Sequence, residues 1–249
     1  MRQRIVAANW KMHGDRAFAR HLIGQLKTSL SELDNEAQVV IIPPAQLLAD
    51  VSDLVKGSSI EVGAQNVARW EAGAFTGEIS AEMLVDVGAR YALVGHSERR
   101  SLFAESDDVV AAKVARVLAT DMTVIFCCGE SLAQRESGLA QAVVDSQLAA
   151  GLRAVSKEQW GRVIVAYEPV WAIGTGKTAS PGDAQEIHAG IRAALSRLGA
   201  PEDEVSVIYG GSVKESNARE LFAQPDVDGG LVGGASLDAQ AFAAICRAV

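Results

Sequence analysis

Eight short runs of β-branched and apolar residues, separated by longer amphipathic stretches along 249 residues, constrain this chain more than any other feature. They are RIVAAN from Arg4, QVVII from Gln38, SIEVGA from Ser59, YALVG from Tyr91, TVIFCC from Thr123, RVIVAYE from Arg162, EVSVIYG from Glu204 and VDGGLVG from Val227. Such runs read as parallel strands buried on both faces. The intervening stretches carry helix signals. Val110, Val114, Val117 and Leu118 share a face behind Ser106-Asp107-Asp108, which offers an N-cap and first-turn acids. Ile187, Ile191, Leu195 and Leu198 form a second stripe, with Asp183 and Glu186 as the expected capping pair and Gly199 as the stop. Eight strand–helix units in this length match a closed (β/α)8 barrel. An open doubly wound sheet is the alternative, but it usually has fewer units and a glycine-rich first turn, absent after Asn9. Without a linker, low-complexity tract or short repeat, residues 1–249 are expected to form one domain.

Charge and cysteine usage remove several function classes. The formal net charge is −8, so a general nucleic-acid or anionic-membrane surface is not expected, and an anionic ligand must be drawn in by a local site. The opening MRQRIVAANW lacks the apolar core and cleavage site of a secretory leader, and no window reaches the ~18 apolar residues of a membrane helix. Cys127, Cys128 and Cys246 form a sparse, odd set that suits a reducing compartment. The expectation is a cytoplasmic protein with no disulfide framework.

In a barrel of this kind, working side chains sit at or just beyond the C-terminal strand ends. The first strand ends in Asn9-Trp10-Lys11, the fourth in Gly95-His96-Ser97-Glu98 and the sixth in Glu168-Pro169. The seventh ends in Gly210-Gly211-Ser212 and the eighth in Gly233-Gly234. Glu168 belongs to VAYEPVWAIGTGKTA, a strand running into a glycine-punctuated loop, and so reads as a sheltered general base; a solvated strand-end carboxylate is the alternative. His96 precedes a helix start, where the positive dipole end favours a neutral imidazole able to polarise a carbonyl; the alternative is a structural histidine. Lys11 is either a fixed ammonium that attracts an anion and stabilises an enolate, or an ordinary exposed lysine. Paired glycines after the last two strands let amide groups approach phosphate oxygens. GTGKT at 174–178 is not a Walker A motif, because Trp171 stands where a glycine is needed. The four histidines, at 13, 21, 96 and 188, show no metal spacing, so neither a metal nor another cofactor is expected.

These residues resemble the triosephosphate isomerase family, through NWKM at Asn9, AQNV at Ala64, GAFTGEIS at Gly73, GHSERR at Gly95, CCGE at Cys127, AYEPVWAIGTGKTA at Ala166, YGGSV at Tyr209 and DVDGGLVGGASL at Asp226. The resemblance implies a single-domain (β/α)8 TIM barrel that interconverts dihydroxyacetone phosphate and D-glyceraldehyde 3-phosphate through an enediol or enediolate. It implies Glu168 as base, His96 as neutral electrophile, Lys11 and Asn9 as substrate and oxyanion ligands, and amides of Gly174, Ser212, Gly233 and Gly234 as the phosphate cradle. It further implies a lid from Pro169 to Ala179, latched by Tyr209, and Glu98 as a supporting carboxylate near Lys11. The family is usually a homodimer. Its third loop, here 65–78, would place Thr76 near Asn9, Lys11 and His96 of the other subunit, with Trp70 and Phe75 expected to be exposed on the free chain.

Three positions depart from the family's commoner pattern: His13 for asparagine, Ala104 for glycine, and Gly230 for a larger residue. Gly230 is expected to cost roughly 1 kcal/mol in packing and backbone entropy. Cys127 is expected to be structural and Cys128 a core residue. Two rival readings share the phosphate cradle: a different sugar-phosphate barrel enzyme, and a noncatalytic phosphometabolite-binding protein.

Overall fold

The computed structural model describes residues 2–31, 37–173, 179–201 and 203–249. Its strands are β1 (Ile5–Asn9), β2 (Gln38–Ile42), β3 (Ile60–Ala64), β4 (Tyr91–Val94), β5 (Thr123–Cys128), β6 (Val163–Tyr167), β7 (Ser206–Tyr209) and β8 (Gly229–Val232). All pair in parallel and in chain order, and β8 returns to β1 to close the barrel. Every run read from the sequence contains its strand. The flanking Arg4, Ser59, Arg162, Val205 and Val227 lie just outside, where connections leave the sheet.

The strand period of two divides each run between two cores. Ile5, Ala7, Val40, Ile42, Leu93, Ile125, Cys127, Ile164, Ala166, Ile208 and Leu231 pack in the barrel interior. The alternate residues, such as Val6, Ala8, Val39, Ile41, Val124, Val165 and Val207, pack against the helices. The same phase sets the rim. Asn9 continues Ile5 and Ala7, and Glu168 continues Ile164 and Ala166, so both positions turn toward the barrel mouth.

Helix Asp107–Leu118 starts at Ser106, whose side chain accepts from the Val109 amide, and it buries the stripe read from the sequence. The second helix needs a correction. It spans Pro181–Arg197, and its capping box joins Ser180 and Asp183 rather than Asp183 and Glu186. Pro181 fits the first turn without losing an intrahelical hydrogen bond, so the start moves upstream of the apolar stripe.

The sites that depart from the family pattern separate once their surroundings are known. The face of Gly230 is not empty: an added Cβ would lie 3.0 Å from the Phe222 ring, so Phe222 fills the space and the expected packing loss is absent. Ala104 has φ of 53°, a left-handed conformation that costs an L-residue roughly 1–2 kcal/mol, and it is exposed. Ala104→Gly is expected to raise stability by roughly 0.5–1 kcal/mol, net of glycine's greater unfolded-state entropy, as read by urea denaturation.

His188 is fully buried, edge-on to Tyr167 at 5.8 Å, with Nδ1 3.2 Å from the Asp226 carbonyl. That oxygen can only accept, so Nδ1 carries the hydrogen. Burial pushes the imidazole pKa down to about 4, and nearby Arg192 pushes the same way. Because the folded value lies below the unfolded one, this contribution to stability is complete above pH ~6.5 and is lost as the pH falls through about 4. The loss is on the order of 3 kcal/mol. Urea unfolding at pH 7 and 4.5 should show wild type losing more stability across this window than His188→Gln.

Candidate active site

Glu168 follows β6 directly and is 1% exposed. Its backbone amide donates to the Cys128 carbonyl at 2.7 Å, fixing the Cα against the end of β5. The carboxylate is dry but not bare. Oε2 accepts from the Ser97 amide at 2.8 Å, while Oε1 lies 3.3 Å from Ser97 Oγ and 3.0 Å from His96 Nε2.

His96 is the N-cap of helix Ser97–Leu102, and its Nδ1 accepts from the Glu98 amide at 3.2 Å. A nitrogen that accepts carries no hydrogen, so this geometry assigns the neutral tautomer with its proton on Nε2, facing the carboxylate. The side chain that begins the helix thus also fixes the direction of its own donor.

Lys11 holds φ of 50°, unusual for a non-glycine residue. The turn is held from several sides. The Lys11 amide donates to Asn9 Oδ1 at 3.0 Å, its carbonyl accepts from Gln65 Nε2 at 2.8 Å, and its ammonium pairs with Glu98. Glu98 therefore does stand beside Lys11.

A cavity of about 290 Å3 gathers Asn9, Lys11, His96, Glu168, Ser212, Gly233 and Gly234 along its walls. Gly174 lies outside the described residues, as does the 174–178 part of the lid. The two glycine pairs differ in what they permit. A Cβ on Gly233 would meet only Lys11 Cε at 3.4 Å, and one on Gly234 would meet nothing, so an anion can approach that backbone. A Cβ on Gly210 would fall 2.9 Å from Glu168 Cγ, and one on Gly211 would fall 2.2 Å from the Tyr209 hydroxyl and 2.9 Å from Pro169. Gly210 and Gly211 therefore leave room for Glu168, Tyr209 and Pro169, a role that phosphate chemistry alone did not suggest.

Sequence reasoning placed Ser97 at the rim without giving it a role, and it missed Glu130, which lies at a strand end inside the quoted motif CCGE, where the rim rule could have found it. Glu130 is fully buried, and its Oε1 accepts from Tyr167 Oη at 3.0 Å and Trp171 Nε1 at 2.8 Å, with Arg135 at 3.3 Å. Burial and this carboxylate hold the Tyr167 phenol well above its ordinary pKa, and burial pushes Tyr209 up to about 12. Trp171 sits in the turn Val170–Ala172, so Glu130 anchors the turn that follows Glu168 and Pro169. Cys127 and Cys128 are buried, and burial raises both thiol pKa values, which suits a packing role. Among the described residues, no group of three or more His, Cys, Asp or Glu could hold a metal ion.

The family model described as triosephosphate isomerase matches residues 4–249. A triosephosphate isomerase of Marinobacter nauticus is 55% identical over 247 residues, covering 99% of this chain and 98% of the relative. One from Thiobacillus denitrificans is 55% identical over 249 residues, covering 100% and 99%, and one from Flavobacterium johnsoniae is 49% identical over 251 residues, covering 100% of each chain. With the barrel, the rim and the matches in agreement over the whole length, this chain belongs to the triosephosphate isomerase family.

Proposed function

We propose that Glu168 is the base and His96 its electrophilic partner in the interconversion of dihydroxyacetone phosphate and D-glyceraldehyde 3-phosphate, which this chain performs as a triosephosphate isomerase. The observation that carries this is the 3.0 Å approach of Glu168 Oε1 to His96 Nε2 in a cavity that Gly233 and Gly234 also line. Glu168 leaves Ser97 to remove the carbon-bound proton, and it returns that proton to the neighbouring carbon. The Nε2–H of His96 polarises the carbonyl and then moves protons between the two oxygens. Lys11 and Asn9 stabilise the oxyanion, and the amides of Ser212, Gly233, Gly234 and Gly174 hold the phosphate. Excluding water strengthens these interactions and protects an enediolate that would otherwise eliminate phosphate. No step calls for a metal or cofactor. The two rivals, another sugar-phosphate barrel enzyme and a noncatalytic binding protein, draw no support from relatives matched over their full length.

A homodimer through loop 65–78 and a cytoplasmic location belong to the same proposal. Phe75 is 37% exposed, as expected, but Trp70 is half-buried, a revision for that residue alone: Trp70 stacks on Phe75 at 4.0 Å and 9°, with Arg69 over its ring at 4.4 Å. The loop thus presents a preformed aromatic stack. Met12 beside the site and Leu102 and Phe103 at the end of the His96 helix also face solvent, at 94%, 74% and 63% exposure. Large apolar side chains left uncovered in this way favour burial against a second copy. The buried free thiols of Cys127 and Cys128 support a reducing compartment, and no helix among the described residues is long and apolar enough to cross a membrane.

In a coupled assay of glyceraldehyde 3-phosphate conversion, Glu168→Ala is expected to lower kcat by roughly 10²–10⁴-fold while phosphate-ligand affinity persists. Equal turnover in both proteins would remove Glu168 from the mechanism. Phe75→Glu is expected to shift sedimentation toward monomer and lower kcat/KM by about tenfold with the barrel still folded; a fully active monomer would remove the dimer from the account.

A further inference from the structure

Glu168 borders two cavities. In front is the site of about 290 Å3, and behind lies another of about 250 Å3, set among the loops after β4, β5 and β6. The rear cavity is lined by Ser97, Ser101, Ser131, Gln134 and Gln147 among apolar atoms that form most of its wall; it is partly open to solvent, and a space of this size accommodates several waters. Ser97 belongs to the rear wall and not to the front one. Its Oγ stands 3.3 Å from Glu168 Oε1, and a hydroxyl can accept one hydrogen while donating another.

We propose that Ser97 and this rear cavity form a proton-exchange port for the catalytic carboxyl. The inference rests on the isomerase reading above. Once Glu168 has taken hydrogen from substrate carbon, substrate occupies the front cavity and limits exchange there, while the rear remains wet. In the position the structure describes, the carboxylic acid donates its hydrogen to Ser97 Oγ, and the serine hydroxyl passes its own hydrogen to a rear water. A solvent hydrogen returns by the reverse path. One hydrogen is exchanged for another, no electrons are transferred, and the carboxyl ends protonated as it began. Exchange therefore competes with delivery to the neighbouring carbon, and Ser97 sets the partition between them.

The test is isomerisation of unlabelled D-glyceraldehyde 3-phosphate in D2O with the product trapped, reading by proton NMR how much of the new C–H bond retains hydrogen. Wild type should yield both retained hydrogen and incorporated deuterium. Ser101 is exposed, and its hydroxyl only returns to helix carbonyls, so Ser101→Leu narrows the rear cavity without touching substrate. It should raise the retained-to-exchanged ratio by about twofold or more, with kcat/KM nearly unchanged. Gln134→Phe, whose ring is larger than the side chain it replaces, provides a second obstruction should the first variant fold poorly, at the cost of the Ser131 capping bond. Ser97→Ala removes the relay hydroxyl but keeps the 2.8 Å amide bond to the carboxylate, and it should raise the same ratio. No exchange in wild type, or an unchanged ratio in active variants with the rear cavity obstructed, overturns the port. Absence of turnover in wild type overturns the isomerase reading instead, so the two failures are distinguishable.

Discussion

Closure of the sheet is the constraint on which the rest depends. β8 pairs with β1 from Ile5↔Gly229 to Ala8↔Val232, and this seam brings the loop after β1 beside the loop after β8. Lys11 then lies within contact of Gly233, although more than two hundred residues separate them. The neighbouring seam is narrower: β7 and β8 share the single register pair Tyr209↔Gly230. It is reinforced below by Asp228, whose amide donates to the Val207 carbonyl and whose carboxylate accepts from the Val207 amide, both at 2.8 Å. Arg192 reaches the same carboxylate at 2.5 Å, giving this buried charge the paired and hydrogen-bonded setting it requires.

With the barrel closed, strand phase becomes site geometry. Alternation through Ile164 and Ala166 directs Glu168 to the mouth, where the Ser97 amide and hydroxyl and the His96 imidazole converge on it. This seating also needs missing side chains. Gly129 and Gly210 leave room for the Glu168 backbone and Cγ, since added Cβ atoms would come to 1.7 Å and 2.9 Å of them. The positions that look most permissive in the sequence are thus among the least replaceable in the fold.

Around the base of the lid, a buried polar group is retained because it is fully engaged on one side. Glu130 Oε1 collects Tyr167, Trp171 and Arg135, while Arg135 stacks over the Trp171 ring at 4.9 Å and reaches Asp183 at 2.7 Å. Asp183 is also the Ser180 partner in the capping box of helix Pro181–Arg197, so the network joins the turn Val170–Ala172 to the start of that helix. Removing Glu130 would leave the buried Tyr167 hydroxyl without its acceptor, which is why such clusters are costly to disturb.

Period-two runs, capping residues and strand-end chemistry were legible from the sequence because each depends on neighbours a few positions away. They identified eight strands, the barrel, and Asn9, Lys11, His96, Glu168 and the paired glycines as rim residues. The sequence did not disclose that Gly210 and Gly211 make room for Glu168 and Tyr209, that Phe222 fills the space beside Gly230, or that Trp70 covers itself with Phe75. Nor did it single out Ser97 and Glu130, whose partners Glu168 and Trp171 lie 71 and 41 positions away. Local pattern determined which residues stand at the mouth; only tertiary packing decided which of them touch, because contact distance, shared cavities and the burial of charge are properties of segments that meet after the sheet has closed.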